Sequence, residues 1–141
     1  MIKGFAHICL DAVDLDASRK FYLETLGLEN AFDFENNGKP FGFYAKLNNR
    51  TFIEVFETKS VEETALGKGV KHFCLEVEDI NAIEERLNSC GVETWNKSIG
   101  CDQSWQIWCK DPSGNSIEFH QYTDKSSQFT GETCRVNWKT S

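Results

Sequence analysis

Two histidines and two glutamates of this 141-residue chain stand at positions from which they could share one task. His7 opens the string His7-Ile8-Cys9-Leu10, and 65 residues later His72 opens His72-Phe73-Cys74-Leu75. Glu54 sits in Phe52-Ile53-Glu54-Val55-Phe56, 47 residues after His7, and Glu118 sits in Ser116-Ile117-Glu118-Phe119-His120, 46 residues after His72. In a strand, residues two apart share a face, so His7 points with Phe5 and Cys9, and Glu54 points with Phe52 and Phe56. An ionised carboxylate among apolar neighbours is costly unless a cation or hydrogen-bond donors compensate it. Two imidazoles and two carboxylates brought together by repetition form a mixed N/O set suited to a divalent metal such as Zn, Ni, Co, Mn or Fe. A lone strand histidine is ordinarily a packing or surface residue. The recurrence of the same pair in both copies is what favours His7, Glu54, His72 and Glu118 as metal ligands.

These residues need strands to carry them, and the repeat defines the strands. Asp14-Leu15 recurs as Asp79-Ile80 at the same offset, each Asp placed to cap a helix. The first copy predicts a strand over residues 5–10, a helix over 15–26 ended by Gly27, and strands over 28–35, 41–47 and 51–57. The second predicts a strand over 70–77, a helix carrying Ile80, Ile83, Leu87 and Cys90 on one face and ended by Gly91, and strands over 92–97, 105–110 and 116–122. Asn36-Asn37-Gly38, Asn48-Asn49 and Asp111-Pro112-Ser113-Gly114-Asn115 supply turn chemistry. The expectation is a β-α-β-β-β module repeated, residues 1–59 and 70–123, making one domain over 1–123. Residues 60–69 form the linker, and 124–141 form a C-terminal tail with no assigned role.

Composition bounds the function. Fifteen Lys and Arg against 22 Asp and Glu leave a net charge of −7, which repels nucleic-acid backbones and anionic lipid. The early apolar stretch from Gly4 to Leu10 contains His7 and stops at Asp11, too short for a signal core or a membrane span. Neither nucleic acid nor a membrane is expected as partner, and the expected location is cytoplasmic. The six cysteines, with no C-x-x-C among them, are then expected to be reduced thiols.

The motifs carry a resemblance as well. His7, Asp14-Leu15, Ser18-Arg19-Lys20-Phe21-Tyr22 with Leu26-Gly27-Leu28, His72 through Glu78-Asp79-Ile80, and Asp111-Pro112-Ser113-Gly114-Asn115-Ser116-Ile117-Glu118 appear in the order of the vicinal oxygen chelate superfamily. That superfamily joins glyoxalase I, bleomycin-resistance proteins and extradiol dioxygenases, and the chain resembles it over residues 3 to 122. The resemblance implies an α+β fold in which two tandem βαβββ modules form an open cup-like mixed-sheet barrel around a metal. It places ligands at His7, Glu54, His72 and Glu118. Glu at position 54 is similar to the glyoxalase-like branch and implies a metal-dependent lyase or isomerase, of lactoylglutathione lyase type, that abstracts a proton next to a carbonyl of a small substrate with vicinal oxygens. Glu118 is then the base, with Glu54 a ligand and possible second base. The resemblance also implies a homodimer. The rival it offers is a non-catalytic drug-binding protein of the bleomycin-resistance type, and a dioxygenase is the weaker third reading. One stripe of each central strand, Phe41, Phe43 and Ala45 or Trp105, Ile107 and Cys109 or the alternating Gln106 and Trp108, is a candidate lining for the cup, with core packing the commoner fate of such residues.

Overall fold

Parallel pairing between strands distant in sequence decides which side chains meet. The computed structural model of the protein describes residues 1–59 and 69–136. In chain order its elements are β1 (His7–Ala12), α1 (Leu15–Arg19) continued by a π-helical segment (Lys20–Thr25), β2 (Glu29–Asn36), β3 (Lys39–Lys46), β4 (Phe52–Glu57), β5 (Phe73–Glu76), α2 (Ile80–Ser89), β6 (Thr94–Ile99), β7 (Trp105–Lys110), β8 (Ser116–Gln121) and α3 (Ser127–Thr130). The strands form two four-stranded sheets, ordered β1-β4-β3-β2 and β5-β8-β7-β6. Both mix parallel and antiparallel pairs, and neither closes on itself, so the α+β class and the duplicated β-α-β-β-β order are as expected.

The helices begin where the sequence places them. Asp14 accepts from the Ala17 N–H at 2.8 Å, and Asp79 accepts from Asn81 and Ala82 at 2.8 and 3.3 Å, each satisfying N–H groups that a first helical turn leaves unpaired. The helix expected over 15–26 is not uniform. From Lys20 it widens into π geometry, with the Leu26 N–H reaching the Phe21 carbonyl five residues back at 2.8 Å. This turn buries Phe21, Tyr22 and Thr25 together. Residue-by-residue periodicity cannot foresee such a widening.

Strand limits shift for a common reason: a strand extends only as far as its partner. β1 starts at His7 because β4 starts at Phe52, opposite it. β5 starts at Phe73, opposite Ile117. The strand expected over 70–77 is therefore shorter, and His72 lies just before it rather than within it. Of the expected linker 60–69, residues 60–68 lie outside the described residues, as do 137–141 of the tail. The rest of the tail contains α3, anchored by a buried Ser104–Ser126 hydroxyl pair at 2.9 Å.

The chain divides into two compact units, one of Met1–His72 with Lys110–Ser116 and the other of Phe73–Cys109 with Ile117–Ser141. In the first unit Leu10, Ala12, Phe21, Tyr22, Phe43, Ala45, Ile53 and Val55 form the core beneath the helix. In the second, Ile80 and Leu87 of α2 are buried, as are Ile107 and Cys109 of β7 and Ile117 and Phe119 of β8. Phe43 and Ala45, and likewise Ile107 and Cys109, are thus core residues and not a site lining.

The Asp111–Asn115 turn belongs to the first unit and forms a buried polar knot there. Asp111 accepts from the backbone of Ser113 and Asn115 at 2.9 and 2.8 Å, from the Asn115 amide at 2.8 Å, and from the Tyr22 hydroxyl at 2.8 Å. Ser113 Oγ accepts from the Val13 N–H at 3.0 Å. Two of the sequence motifs that carry the resemblance, Phe21-Tyr22 and Asp111-Pro112-Ser113-Gly114-Asn115, therefore meet in one hydrogen bond.

Candidate functional site

In the first unit, β1 and β4 alternate between a core face and an open face. Leu10, Ala12, Ile53 and Val55 point into the core, which leaves His7, Cys9, Glu54 and Phe56 on the other side. Parallel register sets Cys9 opposite Glu54 and His7 opposite Phe52. His7 Nε2 comes within 3.7 Å of Glu54 Oε2. Burial, followed by the hydrogen bond to Glu54, pushes the Cys9 thiol up to about 12, so it stays protonated at neutral pH.

Aromatic rings crowd the same face. Tyr44 lies opposite Glu54 on β3. Its ring stacks on Phe32 at 4.6 Å, lies 5.2 Å from Phe52 and approaches the His7 ring at 5.7 Å. Phe34 packs edge-on against Phe56 at 4.7 Å. Phe56 in turn lies over Gly42, where an added Cβ would come within 2.6 Å of the ring. Phe32, Phe34, Tyr44, Phe52 and Phe56 form the ring cluster on the Glu54 side, joined by Phe41, which stacks on Phe56 at 5.3 Å, whereas Phe43 is in the core.

The second unit repeats the register with one change. Cys74 lies opposite Glu118, as Cys9 does opposite Glu54, but the counterpart of Phe56 is His120. His120 Nε2 is 2.9 Å from Glu118 Oε1, with side chains only 12% and 9% exposed. Its Nδ1 is 4.0 Å from Asp102 Oδ2. Hydrogen bonding to Cys74 and then to Glu118 outweighs burial and raises His120 to about 10, so in the metal-free protein it is an imidazolium at neutral pH. Although burial opposes it, Asp102 is held below the usual carboxylate range by hydrogen bonds from Gln128 and Ser104.

Each expected site residue thus has a definite place. His7 and Glu54 are neighbours on one face of the first unit. His72 is exposed and ends that unit's main segment. Glu118 is buried on β8, engaged by His120. Sequence reasoning passed over Cys9, Cys74, His120 and Asp102. The signal for the cysteines was present, since both lie two residues after the repeated histidines, but cross-strand register is needed to place them beside the glutamates.

The His7–Glu54 spacing fits two donors on one ion, which at bond lengths of about 2.0–2.2 Å stand roughly 3–4 Å apart. Glu118 fits less directly, because its carboxylate already holds an imidazolium. In addition, Cys74, Glu118 and His120 offer donor atoms all within 4.8 Å of one another.

Comparison with known proteins agrees with this architecture. Over 125 residues the chain is 26% identical to a probable lactoylglutathione lyase of Synechocystis sp., covering 84% of this chain and 95% of that protein. A glyoxalase family protein from Enterococcus faecalis superposes with a TM-score of 0.72 at 24% identity, over 84% of this chain and 98% of that one. An antibiotic-binding protein from Streptomyces sp. CB03234 gives a TM-score of 0.68 at 18% identity, over 86% and 98%. Both structural likenesses speak for the fold alone. A family model matches residues 4–119, so the chain belongs to the Glyoxalase/Bleomycin resistance protein/Dioxygenase superfamily.

Proposed function

We propose that the protein is a metal-dependent lyase or isomerase of the glyoxalase I type, acting on a small substrate with vicinal oxygens, with His7, Glu54, His72 and Glu118 as metal ligands. The observation that carries this reading is the His7–Glu54 pair, a nitrogen and an oxygen donor 3.7 Å apart on an open sheet face. The likeness to a probable lactoylglutathione lyase supports it and suggests the adduct of a 2-oxoaldehyde with a thiol such as glutathione as substrate. A divalent ion of the Zn, Ni, Co, Mn or Fe group would act there as a Lewis acid for charge developing on the substrate oxygens. Glu118 takes the proton next to the carbonyl, with Glu54 as ligand and possible second base, and the His120 imidazolium holds the Glu118 carboxylate in position. The rings around Glu54 shield the substrate from water. The active form in this reading is one domain over residues 1–123 working as a cytoplasmic homodimer. Phe32, Trp95 and Ile99, exposed on the edge strands β2 and β6, favour such cover, and sedimentation at micromolar concentration checks it.

A non-catalytic drug-binding role is the second reading, and the aromatic face around Glu54 favours it. Elemental analysis followed by assays with 2-oxoaldehydes and thiols decides between the two. The enzyme reading expects about one divalent ion per chain, lost in His7→Ala and His72→Ala. It also expects turnover that falls about 10²-fold or more in Glu118→Gln while metal is largely kept. Protein that takes up no metal and turns over none of these substrates would leave the binding reading standing.

A further inference from the structure

Cys74, Glu118 and His120 come from two adjacent strands of one sheet and converge on a single face. Cys74 lies opposite Glu118 across the parallel β5–β8 pair, and His120 follows Glu118 by two residues. The three donor atoms lie within 4.8 Å of one another. Around a tetrahedral ion with bonds of about 2.0–2.3 Å, ligand atoms stand roughly 3.3–3.8 Å apart. Binding an ion would draw in the exposed Cys74 side chain and open the 2.9 Å His120–Glu118 contact slightly. Asp102 Oδ2 lies 4.0 Å from the far ring nitrogen of His120, beyond hydrogen-bond distance but on the side from which a carboxylate orients a ligating histidine.

We infer that the second unit holds a thiolate-containing divalent metal site, formed by Cys74 Sγ, the Glu118 carboxylate and the His120 ring. The donor set of one sulfur, one nitrogen and one oxygen selects Zn²⁺ or Co²⁺ over hard oxygen-seeking ions such as Mg²⁺. The first unit lacks the counterpart, because Phe56 stands where His120 stands in the second. The site needs none of His7, Glu54 and His72, but it shares Glu118 with the four-ligand reading, so the two arrangements are alternatives for that carboxylate.

Titration of the reduced full-length chain with Co²⁺ tests this. It should give a thiolate-to-cobalt charge-transfer band in the near ultraviolet that saturates at about one ion per chain. Cys74→Ser should abolish the band, and His120→Ala should weaken Co²⁺ affinity about 10-fold or more. Cys9→Ser, Cys134→Ser and His7→Ala should leave it intact. X-ray absorption of the Zn²⁺-loaded wild-type chain, which requires no variant to fold, should show one sulfur at about 2.3 Å. An absent band, a band that survives Cys74→Ser or moves with Cys134, or a zinc shell without sulfur would overturn the inference. A cobalt–thiolate band that persists at about one ion per chain in His7→Ala would distinguish this site from the four-ligand one, which loses its ion in that variant.

Discussion

His120 owes its charge to its neighbours, and that makes it a source of pH-dependent stability. Its value in the folded protein is raised to about 10 from an ordinary 6.5. Folding therefore favours the protonated ring, and the stabilisation is fully present below about pH 6.5 and lost as pH rises through 10. In metal-free protein, the urea midpoint should fall between pH 7 and pH 10 more steeply in the wild type than in His120→Gln; parallel profiles would refute this. A second residue-scale prediction concerns Tyr22. Replacing it by Phe removes one of the donors to the buried Asp111 carboxylate while keeping the ring's packing. The expected loss is about 1–3 kcal/mol of unfolding free energy in urea melts, and Asn115→Ala, which removes another donor to the same group, should not add fully to it.

At the scale of elements, β3 and β4 approach each other more closely than a side chain at residue 42 would allow. A Cβ on Gly42 would lie 2.4 Å from the Val55 carbonyl oxygen and 2.6 Å from the Phe56 ring. Gly42→Ala should cost about 1–3 kcal/mol through overpacking, and it should also disturb the rings beside Glu54, visible as loss of near-ultraviolet circular dichroism with the far-ultraviolet signal retained. This close approach illustrates where sequence reading stops. Alternation and turn residues placed the eight strands and both capped helices of the described residues, because those signals are local. The ends of β1 and β5 were set by partners about 45 residues away, which no local pattern reports. The His and Glu pairs were legible because duplication writes them twice. His120 was not, because its importance is the point at which the copies differ, and a single strand's periodicity cannot show that it faces Cys74 and Glu118.

At the scale of the whole chain, the repeat in the sequence and the division into units do not share a boundary. The sequence repeats near residue 70, yet Lys110–Ser116, from the last hairpin of the second copy, belongs to the first unit. The corresponding turn of the first copy, Asn48-Asn49, lacks the Asp-Pro-Ser-Gly-Asn string. Residues 1–69 expressed alone would leave the Tyr22 hydroxyl and the Val13 N–H without the partners they have in the full chain. Such a fragment should lack a cooperative thermal transition, and adding residues 70–141 in trans should restore one. The gene's seam is thus a poor place to divide the protein, yet a good place to build a split reporter, because a half that cannot finish its own core has no background signal until it borrows seven residues from the other.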